Sequence, residues 1–403
     1  MARSVERWLT VYCIPKTVNL LSMKKVAIQL HLWLGLVSGL VVFIVALTGS
    51  LLAFREELEP LTNPRFFMVS PPADGRRQSL DELVKTTGTT FPDKKISRVI
   101  QESAADRTVV IELKQSKKAK DVLAVALNPY TGEIVATRQE QDAFFPTVLR
   151  LHRYLCLGET GKVITGISCS LFLIIMLTGL VLWWPNRKNR AQRFRIKWSA
   201  STKRLTWDLH AVIGFYVLPF IFLMAATGLI WSYKWVNNLL FLAFDGKPQV
   251  KREAPANLSA TGAATMGRLE RVYVQTKQRL PHPGRFTLIF PETDSLSLTV
   301  SKVDETAAVS NVVDMLYFDY RTGQPTGQQL YDETTRGFKA RRLIFPIHTG
   351  SLLGWPTKLI ALLVALLTTT LPLTGAYIWW GKRNKPNRAT KRSVPTRAPV
   401  PAS

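Results

Sequence analysis

The sequence predicts an integral membrane protein: a four-helix transmembrane bundle with internal parallel duplication, carrying two extramembrane α+β modules. Three observations predict this class. Four charge-free apolar runs cover 26–54, 163–186, 209–233 and 359–381, each reaching the roughly 20 helical residues that cross a hydrocarbon core of about 30 Å. Basic residues gather beside the ends of these runs that share one side. The same spaced motifs also occur twice along the chain. A mean hydropathy of +0.07, with 47% hydrophobic and 20% charged residues, fits neither a disordered chain nor an outer-membrane barrel.

The elements follow in order. A cytoplasmic tail (1–24) ends at Lys24 and Lys25, just before the first span (25–55). The first outer module occupies 56–150, and a juxtamembrane histidine segment leads into the second span (151–185). A short loop (186–204) holds Arg187, Lys188, Arg190, Arg193, Arg195, Lys197, Lys203 and Arg204. The third span (205–234), the second outer module (235–342), and a second histidine segment with the fourth span (343–381) come next. The closing tail (382–403) holds Lys382, Arg383, Lys385, Arg388, Lys391 and Arg392. Cytoplasmic loops of membrane proteins carry such an excess of Lys and Arg. Both termini and the short loop are therefore expected in the cytoplasm, and the two long links outside, across a bacterial inner (plasma) membrane. The net charge of +25 is topological, which excludes a nucleic-acid partner and leaves the lipid bilayer as the first one. The first span is too long for a removed signal peptide and is expected to remain as an anchor.

Within the outer links, 79–87 suits a short helix, and 107–114 and 121–127 read as strands. In the second link 266–278 reads as the helix, and 285–290, 295–300 and 313–318 as strands. The links share a turn, Asn128-Pro129-Tyr130-Thr131-Gly132 in one and Asp319-Tyr320-Arg321-Thr322-Gly323 in the other. Neither holds the Ser/His/Asp or Cys/His set of a hydrolase. Cys13, Cys156 and Cys169 fall in different compartments, which excludes a disulfide framework, and no C-x-x-C-H for covalent haem is present.

The spans repeat more closely. Leu30-His31-x3-Gly35-x12-Thr48-Gly49 in the first matches Leu209-His210-x3-Gly214-x12-Thr227-Gly228 in the third. His152-x5-Gly158-x3-Lys162-x15-Thr178-Gly179 and Trp183-Trp184 match His348-x5-Gly354-x3-Lys358-x15-Thr374-Gly375 and Trp379-Trp380. Both halves start inside, so the duplication is parallel, about an axis along the membrane normal. Four of the five histidines occupy repeated positions, and ionisable residues in spans default to function. His31 and His210 lie roughly 9 Å inside the cytoplasmic face at 1.5 Å per residue; His152 and His348 lie at the outer side. Pairing by depth joins His31 with His210 and His152 with His348.

Two imidazoles from two helices, without a nearby Asp, Glu or Cys, do not complete a zinc or non-haem iron site. They do complete the axial ligation of a b-type haem, so two haem b groups are expected, with the four histidines as iron ligands. Gly35 and Gly214, four residues on from their histidines and on the same helix face, are expected to clear room for the porphyrin. Gly49 and Gly228 fall near the outer level, and Gly179 and Gly375 near the inner one. Trp183, Trp184, Trp379 and Trp380 read as an inner aromatic belt. Arg153, Arg341 and Arg342 read either as partners for haem propionates or as solvated charge. Two haems stacked across a bilayer make an electron wire, and an electron moving outward runs with the membrane potential, about 2.3 kcal/mol per 100 mV.

These residues give a resemblance. Leu-His-x3-Gly with Thr-Gly, followed by Leu-His-x5-Gly-x3-Lys and Gly-Leu-x-Leu-Trp-Trp-Pro, resembles the PepSY-associated transmembrane family, and within it the siderophore-iron reductases of the FoxB type. It covers essentially 23–385, and the two Thr-Gly turns resemble the end of the PepSY module. The fourth span departs with Trp-Trp-Gly in place of Trp-Trp-Pro. The resemblance implies an oxidoreductase that reduces a ferric siderophore at the periplasmic face and releases ferrous iron, with His31, His152, His210 and His348 as axial ligands. No nucleotide fingerprint is present, so electrons are expected from quinol or from a separate cytoplasmic reductase. Two alternatives stay open: a membrane-anchored regulator or inhibitor of a periplasmic peptidase, and the haem subunit of a respiratory quinone oxidoreductase.

Overall fold

The computed structural model describes residues 20–116, 121–187, 190–250, 253–258 and 264–383. Most of the first tail with Cys13, the last tail with Lys385, Arg388, Lys391 and Arg392, and Lys188 of the short loop lie outside the described residues. The helices are α1 (Leu20–Leu52), α2 (Arg55–Thr62), α3 (Pro64–Phe67), α4 (Leu80–Thr90), α5 (Phe144–Tyr154), α6 (Gly158–Trp183), α7 (Arg190–Arg193), α8 (Thr202–Ser232), α9 (Lys234–Asp245), α10 (Arg268–Arg279), α11 (Arg336–Thr349) and α12 (Trp355–Arg383). The strands are β1 (Lys95–Gln101), β2 (Val109–Lys114), β3 (Val122–Leu127), β4 (Ile134–Gln139), β5 (Phe286–Ile289), β6 (Leu298–Val303), β7 (Val313–Phe318) and β8 (Pro325–Gln329).

Helices α1, α6, α8 and α12 are long and apolar enough to cross a membrane. Each starts before its apolar run, because polar flanking residues such as Lys24, Lys25 and Thr202 continue the helix. Side chains such as Val37, Leu40, Leu177, Leu223 and Leu373 stand exposed on the bundle's outside, the surface that lipid would cover. Helix α1 packs on α6 and α12, α8 packs on the same two, and α1 and α8 lie across the diagonal.

The sheet sits at the end of the bundle where α1 and α8 finish and α6 and α12 begin. Its strands run β4-β3-β2-β1-β5-β6-β7-β8, every neighbouring pair antiparallel. The two predicted outer modules are therefore not separate. They fuse at β1 and β5, where Arg98 opposes Ile289 and Gln101 opposes Phe286, and one apolar core runs through both, from Leu83 and Ile111 to Leu288 and Leu316. An unpaired edge strand invites wrong partners, and here each module's edge covers the other's. Strands β1, β4 and β8 escape the sequence reading because they are rich in charged and amide residues.

Helix α4 starts at the Ser79–Glu82 capping box, an N-terminal signature that satisfies two otherwise unpaired backbone groups. The helices α4 and α10 also cap each other. Asp81 accepts from the backbone of Leu269 (3.3 Å) and Glu270 (2.8 Å), and Glu270 accepts from the backbone of Leu80 (2.9 Å). The juxtamembrane histidine segments fold as helices in their own right, α5 against α1 and α6, and α11 against α8 and α9.

Candidate functional site

Each histidine reaches its place from a different helix. His31 projects from α1 and His210 from α8, and their ring centroids lie 6.2 Å apart with the planes at 88°. His152 projects from α5 and His348 from α11, again 6.2 Å apart, at 71°. About 27 Å of α1 separates His31 from Gly49, against which His152 rests.

All four imidazoles sit in the same cradle, built from the Thr-Gly pairs of a neighbouring helix. His31 Nδ1 lies 3.1 Å from the Ile175 carbonyl and 3.1 Å from Thr178 Oγ1. His152 Nδ1 lies 3.0 Å from the Val45 carbonyl and 3.1 Å from Thr48 Oγ1. His348 Nδ1 lies 2.8 Å from the Met224 carbonyl and 3.1 Å from Thr227 Oγ1. His210 Nδ1 lies 2.9 Å from Thr374 Oγ1 and bonds the Leu371 carbonyl. Each threonine hydroxyl donates to carbonyls of its own helix, as Thr178 does to Ile175 at 2.9 Å and Thr227 to Leu223 at 2.8 Å. A carbonyl can only accept, and a hydroxyl whose proton is already engaged offers its oxygen. Nδ1 must therefore carry the proton and donate, which leaves the lone pair on Nε2. No Nε2 of the four makes a hydrogen bond to a described residue.

Glycine completes the cradle. A Cβ at Gly179 would stand 3.1 Å from His31 Cε1, at Gly49 3.2 Å from His152 Cε1, and at Gly228 and Gly375 3.3 Å from Cε1 of His348 and His210. A side chain there would require each ring to shift by a few tenths of an ångström. Among the described residues Gly35 has no neighbouring atom within 4 Å of such a Cβ, and Gly214 has Leu371 Cδ2 at 3.9 Å. Open space thus lies beside the inner pair.

The donor set discriminates among metal groups. Among the described residues no cluster of three or more His, Cys, Asp or Glu could hold a bare ion. Two imidazoles per level would need a group that brings the rest of its own ligands. At 6.2 Å in both pairs the two rings stand close enough that one bound group could take both as ligands, and a fixed Nδ1–H on a ligating imidazole is the usual outer-shell support. This donor set is one that a haem could use, which His152 and His348 would hold at the outer level beside the cavity described below and His31 with His210 at the inner one.

A family model described as the PepSY-associated TM region matches residues 28–382. The chain belongs to the PepSY-associated transmembrane family. An uncharacterized protein of Pseudomonas aeruginosa is 24% identical over 255 residues, covering 59% of this chain and 63% of that protein. The chain thus aligns with less than two thirds of that relative's length.

In this PepSY-associated protein the outer pair lines a cavity of about 840 Å³, together with Gly49, Gly228, Thr165 and Trp231. That size falls within the roughly 300–1,000 Å³ of sites that enclose small molecules. Burial pushes His152 down to about 4, helped by neighbouring His348, and burial also lowers His348; both rings stay neutral and free to ligate. Arg153 and Lys162 line this cavity, whereas Arg341 and Arg342 do not; they face a second one.

Trp183 is not part of an aromatic belt. It is buried, stacks on Phe215 at 3.6 Å and 9°, and donates its indole N–H to the Arg193 carbonyl. Trp184 and Trp380 are exposed, as a belt requires. The sequence reading noted Thr48, Thr178, Thr227 and Thr374 as motif residues but gave them no role. Their invariable place before the glycine was the available signal.

Proposed function

We propose that this protein is a di-haem b oxidoreductase of the inner membrane that passes electrons to a ferric siderophore at the periplasmic face, releasing ferrous iron. The observation that carries this reading is the fourfold cradle, which leaves four Nε2 lone pairs on two neighbouring pairs of rings at two depths. Haem bound there would supply one-electron chemistry between the ferric and ferrous states. The residues do the rest. The threonines and carbonyls hold each imidazole in one tautomer, and the glycines let the ring seat against the helix. The apolar bundle shields the inner pair from water, while the outer pair opens toward the sheet. The donor is quinol or a separate cytoplasmic reductase.

The same reading takes the chain as a parallel duplication. The strand order is symmetric about the β1–β5 seam, and the cradle exchanges α1, α5 and α6 for α8, α11 and α12. Each half of the sheet is then one PepSY-like module, facing the periplasm. The purified protein tests the function directly. It should show two low-spin b haems per chain in a reduced-minus-oxidised spectrum and should oxidise when a ferric siderophore is added. A colourless preparation would sink the reading.

A further inference from the structure

Beside the cavity of the outer histidine pair lies a second one, about 1250 Å³, between α11, the turn before α12 and the link from β6 to β7. The two cavities share a wall, and Trp231 lines both. Its indole lies 5.0 Å from the His348 ring on one side and 5.3 Å beneath the Arg341 guanidinium on the other.

The charges of this outer vestibule are unevenly satisfied. Lys358 is paired with Glu57 at 2.7 Å and Glu56 at 3.5 Å, Arg285 with Glu102 at 2.7 Å, and Lys162 with Glu159 at 3.4 Å. Glu305 accepts from the Ser103 hydroxyl and Asp304 from Thr306. Arg341 and Arg342 differ. Both are half-buried, and among the described residues no carboxylate lies within ion-pair distance of either. Among the described residues the hydrogen bond from the Arg341 guanidinium goes to the neutral Asn237 side chain at 2.9 Å, and Arg342 rests over the Phe338 ring. Desolvation lowers both guanidiniums, and for Arg341 the adjacent Arg342 charge lowers it further. Two neighbouring cations taken partly out of water without a counter-charge are costly, and a guanidinium's planar fork matches a carboxylate or similar oxyanion.

We propose that this vestibule is a binding site for an anionic ligand, with Arg341 and Arg342 as its counter-charges and Trp231 as the apolar wall between it and the outer histidine pair. Calling that anion a ferric chelate rests on the reductase reading above; the anion site itself does not. The second half alone carries it. Counting back from His348 and His152, the positions of Arg341 and Arg342 are held by Phe145 and Pro146 in the first half, and counting forward from His210 and His31, that of Trp231 is held by Leu52.

The test uses the full chain in nanodiscs of neutral phosphatidylcholine and equilibrium dialysis with two radio-iron probes, a trianionic ferric tris-catecholate and an uncharged ferric trihydroxamate. The oxidised protein should bind the trianion at least about tenfold more tightly than the uncharged chelate, more weakly as salt rises. Arg341→Gln with Arg342→Gln should abolish that preference while the haem absorbance and uncharged-chelate binding stay unchanged. Arg342→Lys, which keeps the charge, should retain most of the preference and serves if the double variant fails to fold. Unchanged trianion binding in the Gln variants would overturn the site. Loss of binding in nanodiscs containing phosphatidylglycerol would also overturn it, by assigning the guanidiniums to lipid headgroups. Arginine-dependent binding by a colourless protein would keep the site and remove the reductase reading; a coloured protein without it would remove the site alone.

Discussion

The two halves of the chain are alike where they hold histidine and unlike where they meet the outer cavities. His152 and His348 rest in cradles of the same composition, with Nδ1 on a carbonyl and a threonine and Cε1 on a glycine. Seven residues before them, one half has Phe145, buried, and the other has Arg341, facing a cavity. The cradle is thus repeated in both halves, whereas the charged vestibule is found in one half alone. In our reading the first serves ligation and the second contact with a ligand outside.

Breaking the likeness should give the largest effect. His152→Ala or His348→Ala should lower the haem content from two to one per chain and spare the inner group, as measured by pyridine haemochrome assay on the folded protein. Loss of both groups from either single variant would show that the levels are not independent.

Glycine substitutions come next. Gly179→Ala brings a methyl 3.1 Å from His31 Cε1, and Gly228→Ala one 3.3 Å from His348 Cε1. Each should cause partial haem loss at its own level only, and the tighter site, Gly179, should suffer more. Equal haem retention in both variants would show that the glycines serve helix packing instead.

Thr227→Val and Thr48→Val probe the anchor at constant shape. The Met224 and Val45 carbonyls still hold Nδ1–H, so the outer haem should stay but bind about tenfold more weakly, the low end of outer-shell effects. Transfer of haem to an apo-acceptor protein reads this as a faster loss rate. The smallest effect belongs to the seam of the sheet. Asp81→Ala removes the cap on α10 and should lower stability by about 1 kcal/mol, visible as a lower thermal midpoint with the haem spectrum unchanged.

Much of this arrangement was legible in the sequence, for reasons that also mark the boundary. The spans could be read because lipid demands long uncharged runs, and the histidine positions because they recur at fixed spacing. The fusion of two modules into one sheet could not be read, since β1 and β5 pair over nearly 200 residues and neither strand announces its partner. The helices α5 and α11 were missed because they are short and carry a proline, Pro146 in the first turn of one and Pro346 inside the other. The role of the Thr-Gly pairs was hidden because their partner histidines lie on other helices, more than 100 residues away. Trp183 was misplaced because its indole is indistinguishable in sequence from that of exposed Trp184, and only the packing of Phe215 separates them.

The central claim is that the four histidines form two independent axial pairs. The most direct measurement is haem per chain, by spectrum and haemochrome assay, in His31→Ala/His210→Ala and in His31→Ala/His348→Ala, beside the unaltered protein. The pairing seen here predicts two haems in the unaltered chain, one in the first double variant and none in the second. One haem in the second variant, or none in the first, would contradict it.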